Sequence, residues 1–268
     1  MGAAKTIKQK SDKKIEQPEV DRTELRQRVN LLKVPIDIVA PENLSDVVYD
    51  LLKEDKEHNI VLLSLWDLLR ARRNNDYRYY VTRASLVIPI SKSLISGIKF
   101  LTGKKAHRYM PFDFIVSMLT TLENRELSCY LLGGRTRILL KTEKNIRQTF
   151  PRLRIVGRFT GNFRKQDEPT IIKAIKKSSP SLLLVGKGVR GKERWIAKNN
   201  LALGHGMRLW CSDIFDVFAE KKKHPSRSSF DKGLEWIGYC FHNPLKLFRI
   251  FPYIGYKFIL LFYKLFVK

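Results

Sequence analysis

"SLLLVGKGVRGKERWIAKN", residues 181 to 199, opens on an apolar run, stops at glycine and continues into a stretch with helical spacing. "SCYLLGGR", residues 128 to 135, begins in the same way. A strand that ends in small residues can turn tightly into a helix, and the backbone N–H groups at that turn can meet a phosphate. A plain strand-to-helix turn asks for glycine as well. Both readings of Gly133, Gly134, Gly186 and Gly188 therefore stay open: a nucleotide site at the carboxyl edge of a sheet, or a turn alone. Neither stretch is a GxGxxG or a GxxxxGK[ST] motif.

Outward from these two runs the same alternation fills the chain. "KVPIDIV", "NIVLLSL", "ASLVIPI", "LRIVGRF" and "MRLWCSDIF" also read as strands, with amphipathic stretches between most of them. Regular alternation of strand and helix points to an α/β fold, Rossmann-like, with a mainly parallel sheet covered by helices on both faces. No internal repeat is present. Residues 1 to 30 are rich in charge and poor in apolar side chains, so they read as a flexible basic arm with one short helix over Thr23 to Asn30. A chain of 268 residues suits one such domain plus an appendage.

With 51 Lys and Arg against 26 Asp and Glu, the net charge is +25, which calls for an anionic partner: nucleic acid, anionic lipid or a phosphorylated substrate. Base-reading and stacking motifs are missing, which argues against nucleic acid. Cys129, Cys211 and Cys240 have neither metal-site spacing nor an even count, which fits a reducing compartment without a disulfide framework. "MGAAKTIKQKSDKK" has basic residues and no apolar run behind them, so a secretory signal is not expected, although Gly2 and Thr6 satisfy the short myristoylation pattern.

The blocks "YLLGGR", "FPRLRIVGRFTGNF", "LLLVGKGVRGKERWIAKN", "IFDVFAEKKKHP" and "GLEWIGYCFHNPLKLFRIFP", in this order and spacing, resemble the WecG/TagA/CpsF glycosyltransferases, glycosyltransferase family 26. More weakly, the resemblance runs upstream through "KVPIDIVAPENLSDVV", "ASLVIPI" and "KKAHRYMPFDFI", and so covers residues 31 to 268. It implies an inverting transferase that moves an N-acetylmannosamine-type sugar from a UDP donor to a GlcNAc on a polyprenyl diphosphate. Such enzymes work at the cytoplasmic face of the cell membrane, in cell-surface polysaccharide assembly. They imply no metal and no cofactor.

Carried over residue by residue, the resemblance gives Arg108 as a pocket arginine suited to diphosphate charge and Asp113 as a family acidic position. Glu193 and Trp195 match the family's Q-E-K-W block, Asp216 its F-D, and Gly233 to Trp236 its G-L-E-W. Where the family places an aspartate base, in L-P-D-G, this chain has Ile90 and then Ser91. Leu62 and Ser64 stand at the family's T-x-N, and Lys192 at the glutamine before Glu193. A general base contributes typically about 10²- to 10⁴-fold, so its loss slows transfer without abolishing it. Arg108 and Lys192 remain to stabilise the leaving group, with Asp67, His107 and Asp113 as substitute bases.

"KFILLFYKLFVK", residues 257 to 268, closes the chain. Its lysines interrupt it too often for a membrane span, which needs about 20 apolar residues. On a helix Lys257, Lys264 and Lys268 share one stripe, with Phe258, Phe262, Phe266 and aliphatic residues around the rest. Two readings follow: a helix lying in the interface of an anionic membrane, helped by "KKKHPSR", or a terminal helix packed on the domain. Arg249 is the appendage's candidate for a diphosphate contact. The expected division is an arm over 1–30, the transferase domain over 31–220 and the appendage over 221–268. A homo-oligomer is left open. The first rival to a working enzyme is a non-catalytic relative that binds nucleotide sugar or a partner enzyme, and the second is a basic nucleic-acid-binding protein.

Overall fold

A computed structural model describes residues 25–233 and 250–267. Most of the expected arm, Leu234 to Trp236, Cys240 and Arg249 lie outside the described residues.

Each of the seven predicted apolar runs forms a strand. Six of them, β3 (Glu57–Leu63), β4 (Leu86–Pro89), β5 (Ser128–Leu132), β6 (Arg154–Phe159), β7 (Leu182–Gly186) and β8 (Gly206–Ser212), build one sheet in the order β4-β3-β8-β7-β5-β6. All its pairings are parallel. Side chains alternate across it with the two-residue period of a strand. Leu183 and Val185 join one core cluster, Leu182 and Leu184 the other. Both faces are thus buried, as a parallel sheet requires.

Helices α1 (Leu44–Lys53), α2 (Leu65–Arg73), α3 (Asn75–Thr82), α4 (Lys92–Thr102), α5 (Pro111–Asn124), α6 (Thr136–Thr149), α7 (Glu168–Ser178), α8 (Glu193–Asn199), α9 (Ile214–Phe218), α10 (Arg227–Lys232) and α11 (Ile250–Phe266) supply the covering. On one face pack α2, α3, α4, α7, α8 and α11, through residues such as Leu68, Tyr80, Ile98, Ile175, Ile196 and Leu260. The other face takes α1, α5, α6 and α9, through Val48, Met118, Ile146 and Phe215. This is the expected Rossmann-like α/β architecture with a C-terminal helix.

Two expectations fail at the amino end. Residues 26–31 are not helical: β1 (Arg26–Leu31) pairs antiparallel with β2 (Val34–Val39), and "KVPIDIV" therefore stands outside the parallel sheet. Leu32 and Lys33, both at positive φ, make the two-residue turn, a geometry that suits hairpin twist. Asp37 explains the placement. Its fully buried carboxylate accepts two hydrogen bonds from Arg28 at 2.8 Å and one from the Val87 N–H at 2.7 Å. Arg26 and Arg28 also donate to the Ser85 carbonyl, at 2.7 and 3.1 Å. The hairpin is thereby latched along edge strand β4, which would otherwise present unpaired backbone groups.

Candidate functional site

Strand β5 leads through α6 to β6 on one side, whereas its neighbour β7 leads through α8 to β8 on the other. Where connections diverge in this way, a crevice opens beyond the carboxyl ends of the two strands. The glycines lie there. A Cβ on Gly133, which has φ +142°, would sit 2.7 Å from the Gly186 Cα, and one on Gly186 would sit 2.7 Å from the Phe215 ring. Close backbone approach is what these positions need. The Gly133 N–H donates to the Phe159 carbonyl at 2.9 Å and the Gly134 N–H to the Lys187 carbonyl at 2.6 Å. Those two amides are already used and are not free for a phosphate.

A pocket of about 300 Å³ opens beside them, lined by Lys187, Gly188, Val189, Lys192, Trp210, Ser212 and Asp213. That volume suits a small ligand or part of a larger one. Of these residues, Gly188 and Lys192 were legible as candidates. Lys187, Ser212 and Asp213 were not, since only the pairing of β7 with β8 brings them together. Asp213 is held by an ion pair with Lys222. Lys192 adopts φ 53°, ψ −123°, an uncommon backbone for a side-chain-bearing residue and one of the conformations that cost about 1–3 kcal/mol and cluster at functional sites.

Glu193 opens α8 beside this pocket. Arg70, on α2, approaches its carboxylate to 3.5 Å and lies 3.9 Å from the centroid of the Tyr77 ring. Glu193 Oε2 is buried with no hydrogen-bond partner among the described residues. Burial pushes the Tyr77 phenol well above its ordinary range, with the Asp67 and Glu193 carboxylates adding to the effect. Arg70 carried no sequence signal, because its meaning depends on Glu193, more than a hundred residues later in the chain. Trp195 is in the core, edge-on to Phe163 at 6.3 Å. Asp216 lies in the first turn of α9, 3.8 Å from Lys221.

Ile90, just past β4, and Leu62, near the end of the neighbouring strand β3, are half-buried and pack against the core. Arg108 donates from Nε to the Ile90 carbonyl at 3.0 Å and from Nη1 to the Phe230 carbonyl at 2.5 Å, and its guanidinium covers the Phe230 ring at 3.7 Å. Lys92 reaches the Lys232 carbonyl at 3.0 Å, so α10 is tied across the same edge. The neighbouring polar side chains serve helix starts. Ser64 and Asp67 form a reciprocal cap on α2, and the Ser91 hydroxyl accepts from the Leu65 N–H at 3.1 Å. Asp113 is 3.7 Å from Arg227. His107 packs edge-on to Tyr109, and partial burial lowers its pKa against the pull of Glu42 and Asp231.

The C-terminal helix packs on the domain along one face, the second of the two readings of the tail. Tyr256 and Leu260 are buried against α4, with the Tyr256 hydroxyl donating to the Ser93 carbonyl at 3.0 Å. The opposite face exposes Phe251, Ile254, Phe258, Leu261, Phe262, Leu265 and Phe266. At 100° per residue these seven fall within about 140° of arc. Lys257 and Lys264 both lie beside one edge of that arc, Lys264 lying over Phe100 of α4 at 4.2 Å. Among the described residues no helix is long and apolar enough to cross a membrane, and no group of three or more His, Cys, Asp and Glu could hold a metal ion.

A parallel sheet with a cationic crevice at its switch point defines a Rossmann-like α/β protein. Residues 29–268 match the sequence profile of the Glycosyl transferase WecG/TagA/CpsF family, and the chain belongs to that family. Among curated proteins it is similar to the N-acetylglucosaminyldiphosphoundecaprenol N-acetyl-beta-D-mannosaminyltransferase of Bacillus spizizenii, at 21% identity over 180 residues, 67% of this chain and 69% of that protein.

Proposed function

We propose that this chain is an inverting glycosyltransferase that moves an N-acetylmannosamine-type sugar from a UDP donor to a GlcNAc carried on a polyprenyl diphosphate. The observation that carries the reading is the family match along residues 29–268; Lys192 lines the crevice pocket and Glu193 follows it at the start of α8. In the reaction the acceptor hydroxyl attacks the anomeric carbon, the bond from that carbon to the donor diphosphate breaks, and the hydroxyl proton passes to solvent water. Lys187 and Lys192 line the pocket that would take the diphosphate and would stabilise its growing charge. Arg108, fixed by two carbonyls and an aromatic ring, is a preorganised donor at the acceptor side. Ile90 cannot take the proton, so turnover by this route is slow.

The outward apolar face of α11 and its lysines would lie in an anionic membrane surface, on the cytoplasmic side, where a lipid-linked acceptor is presented. A second reading is a non-catalytic relative that binds the nucleotide sugar. It is favoured by Ser64, Asp67 and Ser91 being committed to helix capping, and by the apolar packing of Leu62 and Ile90. Calorimetry with UDP, UDP-GlcNAc and UDP-ManNAc, followed by a transfer assay on a lipid-diphosphate GlcNAc, tests both. Binding with transfer supports the enzyme, binding without transfer the second reading, and no binding at millimolar nucleotide removes both.

A further inference from the structure

A second cavity opens at the other edge of the sheet. It is a cleft of about 740 Å³ at the amino ends of β3 and β4, lined by the hairpin strand β1, the end of α1 and the end of α3. Strand β3 has seven residues, so this cleft lies about 20 Å from the carboxyl-edge site. No residue discussed for sugar transfer lines it. Its volume is in the range of sites that hold a metabolite-sized ligand.

Charge and burial give the chemistry. Four cations line the cleft: Arg26, Arg28, Lys56 and Arg83. One carboxylate, Asp37, serves both Arg26, at 3.3 Å, and Arg28, at 2.8 Å. Lys56 pairs with Glu54, and Asp50 with Lys53 at 3.0 Å. Arg83 contacts the Tyr79 hydroxyl and ring and has no acidic partner among the described residues. The lining thus has four cations against the two carboxylates Asp50 and Glu54, or three once the adjoining Asp37 is counted. Val47, Leu51 and Ala84 give the cleft an apolar wall.

His58, also on the wall, is fully buried, and Ser85 Oγ fixes its Nδ1 at 2.9 Å. Its Nε2 is buried, with the Glu54 carboxylate at 3.9 Å and no hydrogen-bond partner among the described residues. A buried polar atom left unpaired costs about 1–3 kcal/mol, which a ligand or water atom placed there would recover. The wall is also held rigidly, since Arg26 and Arg28 tie β1 to the Ala84 and Ser85 carbonyls.

We propose that this cleft is a second ligand site, separate from the transferase crevice, for a small metabolite bearing a phosphate or carboxylate. The anionic group lies by Arg83 and the Arg26–Arg28 pair, the body of the ligand lies along Val47, Leu51 and Ala84, and a polar atom meets His58 Nε2. Guanidinium suits both oxyanions because its planar donors bind them two at a time.

The test follows the His58 ring and Ser85 amide resonances in the full-length chain while inorganic phosphate or acetate is added at constant ionic strength. Saturable shifts in the millimolar range are expected, retained in Lys192→Ala and weakened about tenfold in Arg83→Ala, the loss of one charge-assisted contact. Saturation by phosphate alone assigns phosphorylated ligands, and saturation by acetate alone assigns carboxylates. Shifts that do not saturate, or that Arg83→Ala leaves unchanged, overturn the proposal. Loss in Lys192→Ala but not in Arg83→Ala also overturns it, because the anion would then be bound at the crevice.

Discussion

Placing a carboxylate at position 90 tests the catalytic reading most directly. Ile90 is half-buried against the core, so Ile90→Asp forfeits part of the roughly 1.5–3 kcal/mol that a fully buried aliphatic side chain contributes, a tolerable loss for a domain of this size. The gain is set by Arg108. Its Nε is 3.0 Å from the carbonyl of residue 90 itself, which puts a new Asp side chain within reach of a guanidinium. An opposite charge at about 4–6 Å lowers a carboxyl pKa by roughly 1–3 units, and a weaker base assists proton removal less. The expected increase in kcat/KM is therefore near the bottom of the general-base range, about 10²-fold, equivalent to about 2.7 kcal/mol of barrier. The assay is transfer from UDP-ManNAc to a lipid-diphosphate GlcNAc, with thermal melts as the folding control. A fast wild type with no gain would put the base elsewhere. His107→Ala and Asp113→Ala would then be the informative variants, since Asp67 is committed to the α2 cap. If the chain stays inactive after Asp is restored at 90, Thr at 62, Asn at 64 and Gln at 192, the transferase reasoning fails and the non-catalytic reading stands.

Asp37→Ala strands two guanidiniums on the β4 edge and should cost about 3–5 kcal/mol, lowering Tm by roughly 10 °C; a change under 1 kcal/mol by chemical denaturation would refute the latch. Gly97→Ala would set a Cβ 2.0 Å from the Tyr256 hydroxyl oxygen but 3.2 Å from the ring carbon bearing it. The single variant should therefore free α11 to protease, and adding Tyr256→Phe should restore protection; no rescue would mean the clash is not at that hydroxyl. Deleting residues 245–268 should release the chain from anionic liposomes, and salt should weaken binding of the full chain over a Debye length of about 8–10 Å; a truncated chain that folds and stays bound would contradict the assignment of the tail. Burial lowers the His58 pKa, so the unfolded chain takes up a proton near pH 6.5 that the folded chain refuses. Stability should then fall as pH drops through about 6.5 towards the folded pKa, and less steeply in His58→Gln; equal slopes for the two proteins would sink this account.

Except for β1, which reads as helical, the sequence alone determined which runs would be extended, because alternation and glycine punctuation are local properties. It also determined the family, through blocks such as "LLLVGKGVRGKERWIAKN", and that residue 90, as isoleucine, has no basic atom in any fold. Tertiary structure decided the rest. "KVPIDIV" has the look of a parallel strand and joins a hairpin instead, because its buried Asp37 finds Arg28 and the Val87 N–H only once the edge is assembled. The glycine turns look open to phosphate, yet the amides of Gly133 and Gly134 are taken by carbonyls of Phe159 and Lys187, partners that no local window contains. Arg70 becomes a neighbour of Glu193, and Asp213 of Lys192, only through the packing of α2 on α8 and the pairing of β7 with β8. The tail's periodicity showed that its lysines share one stripe, but not which apolar residues turn inward. The pocket left by Gly97 selects Tyr256 for burial and leaves the opposite face of α11 outward.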